Sequence, residues 1–101
     1  MTAPEARAAG PESATPVLEY VLRHEHGPVL AGLVRRLGDL DLAEDALQEA
    51  YVEAWDRWPR EGVPDKPAAW LTTVAWHRAV DRLRRERRCG ELDRDDRDLH
   101  P

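Results

Sequence analysis

Apolar residues in this chain recur three and four positions apart, which is the spacing of one helix face, and they do not alternate with the period of two that a strand requires. Gly27-Pro28 and Gly38 interrupt the first apolar stripe, because proline and glycine end or kink helices. Residues 59–66, followed by Pro67, form a segment that we expect not to be helical. The pattern therefore predicts an all-α fold, a compact domain of three or four helices, with no strand and no internal repeat.

Start and stop signals place the helices along the chain. Thr15, as an N-cap followed by Pro16, predicts the start of the first helix. Asp41, with Glu44 three residues later, is a variant of the capping box and predicts the start of an acidic helix. That helix is expected to end near Trp58, and the last helix is expected to begin just after residue 66.

A helical wheel divides the acidic helix into two sides. The side expected in the core consists of Ala43, Ala46, Leu47, Ala50, Tyr51, Ala54 and Trp55. The opposite side, called here the acidic face, consists of Asp45, Gln48, Glu49, Val52 and Asp56. Among the other Trp residues, Trp70 is expected in the core. Trp58 and Trp76 are the better candidates for exposure and for stacking on an unpaired base, and the alternative for each is packing in the core or over the loop.

Charge is segregated between two of the predicted helices. Residues 39–56 contain seven acidic residues and no Lys or Arg, whereas residues 68–88 contain six Arg and two acidic residues. The basic side of the last helix, called here the basic face, consists of His77, Arg78, Asp81, Arg82, Arg85 and Arg88. Because phosphates are repelled by carboxylates and attracted by Arg, the sequence predicts a small helical module with two different working faces.

Each face also has simpler interpretations. The acidic face can be a solvated surface, a cation site or a docking surface for a basic partner, and carboxylates from one helix cannot surround an ion. Since residues 39–56 contain no Lys or Arg to relieve repulsion between the carboxylates of the acidic face, a basic partner is favoured. The basic face can stabilise the helix C-terminus through the dipole, but it contains more Arg than that requires, which favours phosphate contact.

Several classes of function are disfavoured. A chain of 101 residues is long enough for one domain, and it contains neither a long apolar run nor an apolar N-terminal segment, so we expect no membrane contact and a cytoplasmic location. The single Cys89 excludes a disulfide framework. No arrangement of residues suggests a nucleophile with its base or a set of metal ligands, so we expect no catalytic residue, metal or cofactor, and not an enzyme. Residues 1–14 are expected to be disordered and residues 89–101 to form an acidic flexible tail.

A family resemblance is carried by two segments. Residues 41–55, DLAEDALQEAYVEAW, resemble the core-binding helix of bacterial RNA polymerase sigma factors of the extracytoplasmic-function (ECF) group of the sigma-70 family. Residues 69–85, which begin AWL and end AVDRLRR, are similar to the helix of that family that recognises the promoter −10 element. Both segments occur in the family's order and separation, so the resemblance covers region 2, here residues 15–88.

The resemblance implies roles for individual residues. Contact with the clamp helices of the largest subunit of core RNA polymerase would fall to Glu44, Asp45, Gln48, Glu49, Val52 and Asp56. Contact with the non-template strand of the −10 element would fall to Trp58, Arg60, Lys66, Trp76, His77, Arg78, Asp81, Arg82, Arg85 and Arg88. Residues 59–66 would receive a base extruded from that strand, and together with His77 would set base preference.

Two departures from the family leave alternatives open. His77 stands where the family more often has Asn, whose amide both donates and accepts, so the preferred base is open. The sequence also lacks the second helical domain that binds the −35 element, so it is expected to be a fragment, a truncated product or a stand-alone region. The rival to a sigma factor is an interaction module that occupies polymerase or an anti-sigma factor without initiating transcription.

Overall fold

A computed structural model describes the backbone of residues 7–9 and 13–99 and the side chains of residues 13–89. Four helices are present in this part of the chain: α1 (Ala14–His24), α2 (His26–Leu37), α3 (Leu40–Glu61) and α4 (Pro67–Leu99). The expected all-α domain of three or four helices is confirmed. α1 starts at Ala14 with Ser13 as its N-cap, so Thr15 lies inside the helix and the start is two residues earlier than predicted.

Two short strands, β1 (Arg7–Ala9) and β2 (Val63–Pro64), were not predicted. They pair antiparallel, with Arg7 opposite Pro64 and Ala9 opposite Val63. Strands this short contain too few residues to display a period of two, so the sequence pattern gave no signal. The prediction of disorder is wrong for residues 7–9, and for residues 1–6 and 10–12 it lies outside the described residues.

The predicted interruptions between the first helices are confirmed. The backbone amide of Glu25 donates to the carbonyl of Val21 at 2.8 Å and closes α1. Pro28 lies in the first turn of α2, where the hydrogen bond that proline cannot donate is not required. Gly38 ends α2 in the left-handed conformation, with φ of 71° and an amide 2.7 Å from the carbonyl of Val34.

Both ends of α3 differ from the prediction. Asp39, rather than Asp41, is the N-cap, because its Oδ1 accepts a hydrogen bond from the amide of Leu42 at 3.0 Å. At the other end Pro59 lies inside the helix, which continues to Glu61. The expectation that residues 59–66 contain no helix is therefore wrong, because a proline in the last turn removes one hydrogen bond without preventing the turn from closing. The amide of Gly62 closes it, 2.8 Å from the carbonyl of Trp58.

The core is built around α3, which packs against each of the other three helices. Its buried residues are Leu42, Ala43, Ala46, Leu47, Ala50, Ala54 and Trp58. Leu71, Ala75 and Ala79 of α4 complete this interface and are fully buried. Alanine at these positions keeps the α3 and α4 backbones close, so the charged side chains at the edges of the two helices lie within reach of each other.

Two Trp residues have environments opposite to those predicted. Trp58 is 1% exposed and belongs to the core, whereas Trp55 is 59% exposed. The reason is the continuation of α3 past Pro59, which keeps Trp58 in register with Ala54 and Leu47 on the buried side. Trp58 packs edge-on against the half-buried Trp70, with ring centroids 5.3 Å apart.

Beyond Arg88 the structure also differs from the sequence prediction. The segment from Cys89 was expected to be a flexible tail, but α4 continues through it as a helix to Leu99. The last two residues of the predicted tail lie outside the described residues. Among the described residues, no helix combines the length and the apolar character needed to cross a membrane.

The N-cap of α3 can be tested by comparing two neighbouring aspartates. We expect Asp39→Ala to lower the free energy of unfolding by about 1 kcal/mol, because the amide of Leu42 loses its acceptor. Asp41→Ala removes the same charge from the first turn of α3, where it caps no amide, and is expected to cost less than about 0.5 kcal/mol. Urea denaturation at neutral pH measures both, and equal losses would contradict the assignment of Asp39 as the cap.

Candidate functional site

The six residues expected to bind polymerase lie on the surface of α3. Five of them are exposed, and Glu49 is half-buried. The whole acidic face lines one open groove, with a volume of about 920 Å³, along the seam between α3 and α4. Glu44 is exposed but lies outside the groove lining. The structure therefore brings the acidic face together as a continuous surface, and the role of that surface stays a prediction.

The other wall of this groove is formed by Arg side chains of α4. Arg82 donates from Nη1 to Asp45 Oδ2 at 3.1 Å and from Nη2 to Glu49 Oε2 at 2.6 Å. Arg78 donates from Nη2 to Glu53 Oε1 at 2.6 Å. The order of these pairs shows that α3 and α4 run antiparallel. The expectation of an uncompensated acidic face is wrong, because Arg82 of α4 pairs with Asp45 and Glu49, and an Arg of α3 itself pairs with Asp56.

Further ion pairs follow α3 towards its C-terminus. Arg57 pairs with Glu53 at 2.7 Å and with Glu61 at 3.1 Å, both one helical turn away. Arg60, expected to contact DNA, pairs with Asp56 of the acidic face at 2.8 Å. The groove is therefore lined by alternating carboxylate and guanidinium groups rather than by one sign of charge.

Glu53 is the most strongly held carboxylate in this cluster. Hydrogen bonds from Arg78, and then from Arg57, lower the pKa of Glu53 below its ordinary value. In return Glu53 raises the pKa of Arg78, and Glu61 followed by Glu53 raises the pKa of Arg57. The side chain of Glu53 is 21% exposed, so part of this attraction escapes screening by solvent.

A second polar contact joins α3 to α2. The Tyr51 hydroxyl lies 3.0 Å from Nδ1 of His26, and the two rings are stacked with centroids 5.8 Å apart. Burial, and then the negative charge of Glu25, raises the pKa of Tyr51. This contact ties α2 to the side of α3 that lies between the core and the groove.

The residues expected to contact DNA are not equally available. Lys66, His77, Asp81, Arg85 and Arg88 are exposed. A shallow cleft of about 320 Å³ on α4 is lined by Arg78, Asp81, Arg84, Arg85 and Arg88. Arg84 was not among the residues assigned to DNA contact, although it belongs to the Arg-rich stretch that favoured phosphate contact. No carboxylate within residues 13–89 forms an ion pair with Arg84, Arg85 or Arg88.

The two Trp residues expected to stack on bases are less accessible than predicted. Trp58 is buried in the core, so its predicted exposure and its predicted DNA contact are corrected: stacking on a base would require the α3–α4 interface to open. Trp76 is half-buried against the core. The guanidinium carbon of Arg36 lies 4.3 Å from the centroid of the Trp76 ring, so a cation from α2 already occupies that position.

The sequence interpretation missed an apolar surface beside the carboxylates. Val52 is 69% exposed and Trp55 is 59% exposed, and they lie three residues apart on the outside of α3. The spacing of Trp55 from Gln48 and Val52 was the signal that could have placed it outside. In the connection to α4, Gly62, Val63 and Pro64 are buried, and Asp65 and Lys66 are exposed.

Within the described part of the chain, no group of three or more His, Cys, Asp or Glu residues is arranged to hold a metal ion. The carboxylates of the groove are instead occupied by guanidinium groups of Arg57, Arg60, Arg78 and Arg82. The arrangement is suited to recognition of a charged macromolecular surface, and it offers a partner both ionic and apolar contacts.

The ionisation of Glu53 predicts a pH dependence of stability. Because the folded state lowers the pKa of this carboxyl, its stabilising contribution is present above the ordinary Glu pKa of about 4.3 and is lost as the pH falls through the lower folded value. We expect the free energy of unfolding of wild type to exceed that of Glu53→Gln by about 1 kcal/mol near pH 7. This difference should shrink below about pH 4. Urea denaturation across this range measures it, with Glu19→Gln on α1 as control. A difference that stays constant with pH would contradict the prediction.

Comparison with known proteins points to one family. The family model for sigma-70 region 2 matches residues 21–89. The ECF RNA polymerase sigma factor SigL of Mycobacterium tuberculosis is 39% identical over 84 residues, which cover 81% of this chain and 48% of SigL. SigK of Mycobacterium ulcerans, also an ECF RNA polymerase sigma factor, is 44% identical over 57 residues, which cover 54% of this chain and 30% of SigK.

An uncharacterized protein of Rhizobium meliloti is 46% identical over 59 residues, which cover 58% of this chain and 14% of that protein. No solved structure gives a significant match to the chain. The chain spans about half or less of the length of these curated relatives. The family match nevertheless includes most of the chain and both charged helices, so the chain belongs to the ECF group of sigma-70 RNA polymerase sigma factors, with its region 2 in residues 21–89.

Proposed function

We propose that this chain serves in transcription initiation as the part of an alternative sigma factor that binds core RNA polymerase through α3 and recognises and melts the promoter −10 element through α4. The observation that carries the proposal is the groove along α3, where the acidic face is exposed within a region 2 match. In this role the chain catalyses no reaction, since RNA synthesis belongs to the polymerase, and it acts with that enzyme in the cytoplasm.

The polymerase surface that fits α3 is a basic one, and the clamp helices of the largest subunit are the proposed site. Val52 and Trp55 would supply an apolar centre, and Asp45, Gln48 and Glu49 a polar rim. Large aromatic residues at the centre of an interface typically carry much of its binding energy. A partner Arg would meet the carboxylates as charge-assisted hydrogen bonds.

The DNA surface is proposed to be the exposed part of α4 and the connection before it. The Arg84, Arg85 and Arg88 side chains would contact phosphates of the non-template strand. Lys66, just before the start of α4, and His77, within α4, are exposed and would approach an extruded base. Residues 59–66 are proposed to contribute to base preference, although burial of residues 62–64 leaves only part of that segment accessible.

One observation favours the rival role. Trp58 is buried and Trp76 is contacted by Arg36, so the two expected stacking platforms are not free. A module that binds polymerase or an anti-sigma factor without initiating transcription would need the acidic face but no stacking residues. Binding of single-stranded DNA therefore separates the two roles.

The assignment of the acidic face can be tested by reversing its charge. We expect Asp45→Arg combined with Glu49→Arg to weaken binding to core polymerase more than about tenfold, because it places like charges opposite each other. Affinity is measured by titration of the full chain onto labelled core polymerase. Glu19→Arg, the same reversal on α1, serves as the control and should bind as wild type.

Because charge reversal also places new Arg residues beside Arg82, a milder pair of substitutions provides a second test. Asp45→Asn with Glu49→Gln keeps the shape of both side chains and should still weaken binding. Circular dichroism and thermal unfolding establish that each variant is folded. If both double variants are folded and bind with wild-type affinity, the proposed role of α3 is wrong.

The DNA surface can be tested by the salt dependence of binding. We expect the chain to bind a single-stranded −10-like oligonucleotide weakly, and more tightly than the same sequence as a duplex. Arg85→Ala and Arg88→Ala should each lower the slope of log affinity against log salt by about 0.7, since each removes one phosphate contact on a single strand. Fluorescence anisotropy measures the slopes, with Arg35→Ala on α2 as control. Tighter binding of the duplex would indicate groove reading instead.

A further inference from the structure

We infer that Arg78 and Arg82 of α4 are positioning residues of the polymerase-binding face rather than DNA contacts, and that they act by holding the carboxylates of α3. The inference rests on the proposed binding of polymerase by α3. It changes the assignment of two Arg residues that the family resemblance gives to DNA. The remaining Arg residues of α4 keep the proposed phosphate contacts.

The first support is the geometry of Arg82. Its two terminal nitrogens bridge Asp45 and Glu49, at 3.1 Å and 2.6 Å, across one turn of α3. A planar guanidinium can make two such bonds at once in a fixed direction, whereas a Lys ammonium is a single point charge on a flexible stem. Arg82 therefore fixes the spacing and orientation of two neighbouring carboxylates.

The second support is the order of exposure across the groove. The Asp45 side chain is 64% exposed and that of Glu49 is 39% exposed, while that of Arg82 is 31% exposed. Arg82 uses one oxygen of each carboxylate, so the second oxygen of each can accept a hydrogen bond from a partner. The carboxylates thus form the outer layer of the face, and the Arg lies beneath them.

The third support is the unsuitability of these Arg residues for phosphate. A phosphate that approached Arg82 would meet Asp45 and Glu49, and one that approached Arg78 would meet Glu53, at the distance of an ion pair. Repulsion from these carboxylates would offset the attraction of each guanidinium. Arg85 and Arg88 line the same cleft as Arg78 but form no ion pair with a carboxylate of residues 13–89, so they are the better phosphate contacts.

Ordering the carboxylates in advance should strengthen partner binding. A long side chain loses rotamer freedom when an interface forms, and this loss is smaller when the free protein already holds the side chain in place. The positive charge of Arg82 also repels a basic partner, but at this exposed site salt and water screen that repulsion. The net effect of Arg82 is therefore expected to favour binding.

The test compares two substitutions of Arg82 in the full chain. We expect Arg82→Ala to weaken binding to core polymerase by about threefold to tenfold, the effect of leaving one or two side chains unordered. Arg82→Lys keeps the charge but not the planar guanidinium that donates two hydrogen bonds, so polymerase binding should remain weakened about threefold. Neither change should alter the salt slope for single-stranded DNA. Exposed ion pairs contribute little to folding, so both variants should unfold near the wild-type temperature.

Arg78→Ala provides a second variant with the same expectation, and Arg23→Ala on α1 provides the control. Since Arg82 acts through its partners, Arg82→Ala should have no further effect in the Asp45→Asn/Glu49→Gln background. Unchanged or tighter polymerase binding by Arg82→Ala would overturn the inference. A salt slope for DNA binding that Arg82→Ala lowers and Arg82→Lys restores would also overturn it. If Asp45→Asn/Glu49→Gln itself binds as wild type, the proposed function fails. If it weakens binding while Arg82→Ala does not, only this inference fails.

Discussion

The close packing of α3 against α4 is the interaction on which both surfaces depend. Alanines of α3, among them Ala50 and Ala54, meet Ala75 and Ala79 of α4, and all are fully buried. Larger residues here would separate the helices and move Arg82 away from its carboxylates. The packing of these alanines thus sets the width of the groove. That width in turn determines which side chains of α3 and α4 are close enough to form ion pairs. Packing of small residues in the core and charge arrangement at the surface are two results of the same helix spacing.

Much of the fold could be predicted from local sequence signals. Helical spacing of apolar residues, Gly27-Pro28 and Gly38 placed α1, α2 and the body of α3 correctly, because these signals act within a few residues. Local signals were less reliable for α3 boundaries: Asp41 was a plausible cap, but Asp39 makes the hydrogen bond. Pro59 was treated as a stop, but tertiary packing of Trp58 holds the last turn in place.

The sequence predicted which residues belong to the candidate site but not which of them contact each other. The wheel identified Asp45 and Glu49 as a surface pair, yet their partner Arg82 lies more than thirty residues away and belongs to another helix. No helical periodicity reports such a pair, because it depends on how two helices are docked. The same reason explains Trp58, whose burial depends on packing against Trp70 of α4, a contact that its own segment does not report.

The pairing of β1 with β2 places residues 7–9 beside the connection that precedes α4. Backbone contacts join residues 7–9 to Val63 and Pro64, the connection proposed to approach an extruded base. A fluorophore attached within residues 7–9 would therefore sit beside that connection, despite being distant from it in sequence. Probes of nucleic-acid binding are better attached to α1 or α2, where Arg23 and Arg35 offer exposed positions away from both surfaces. The position of a label on this chain therefore determines which surface the label disturbs.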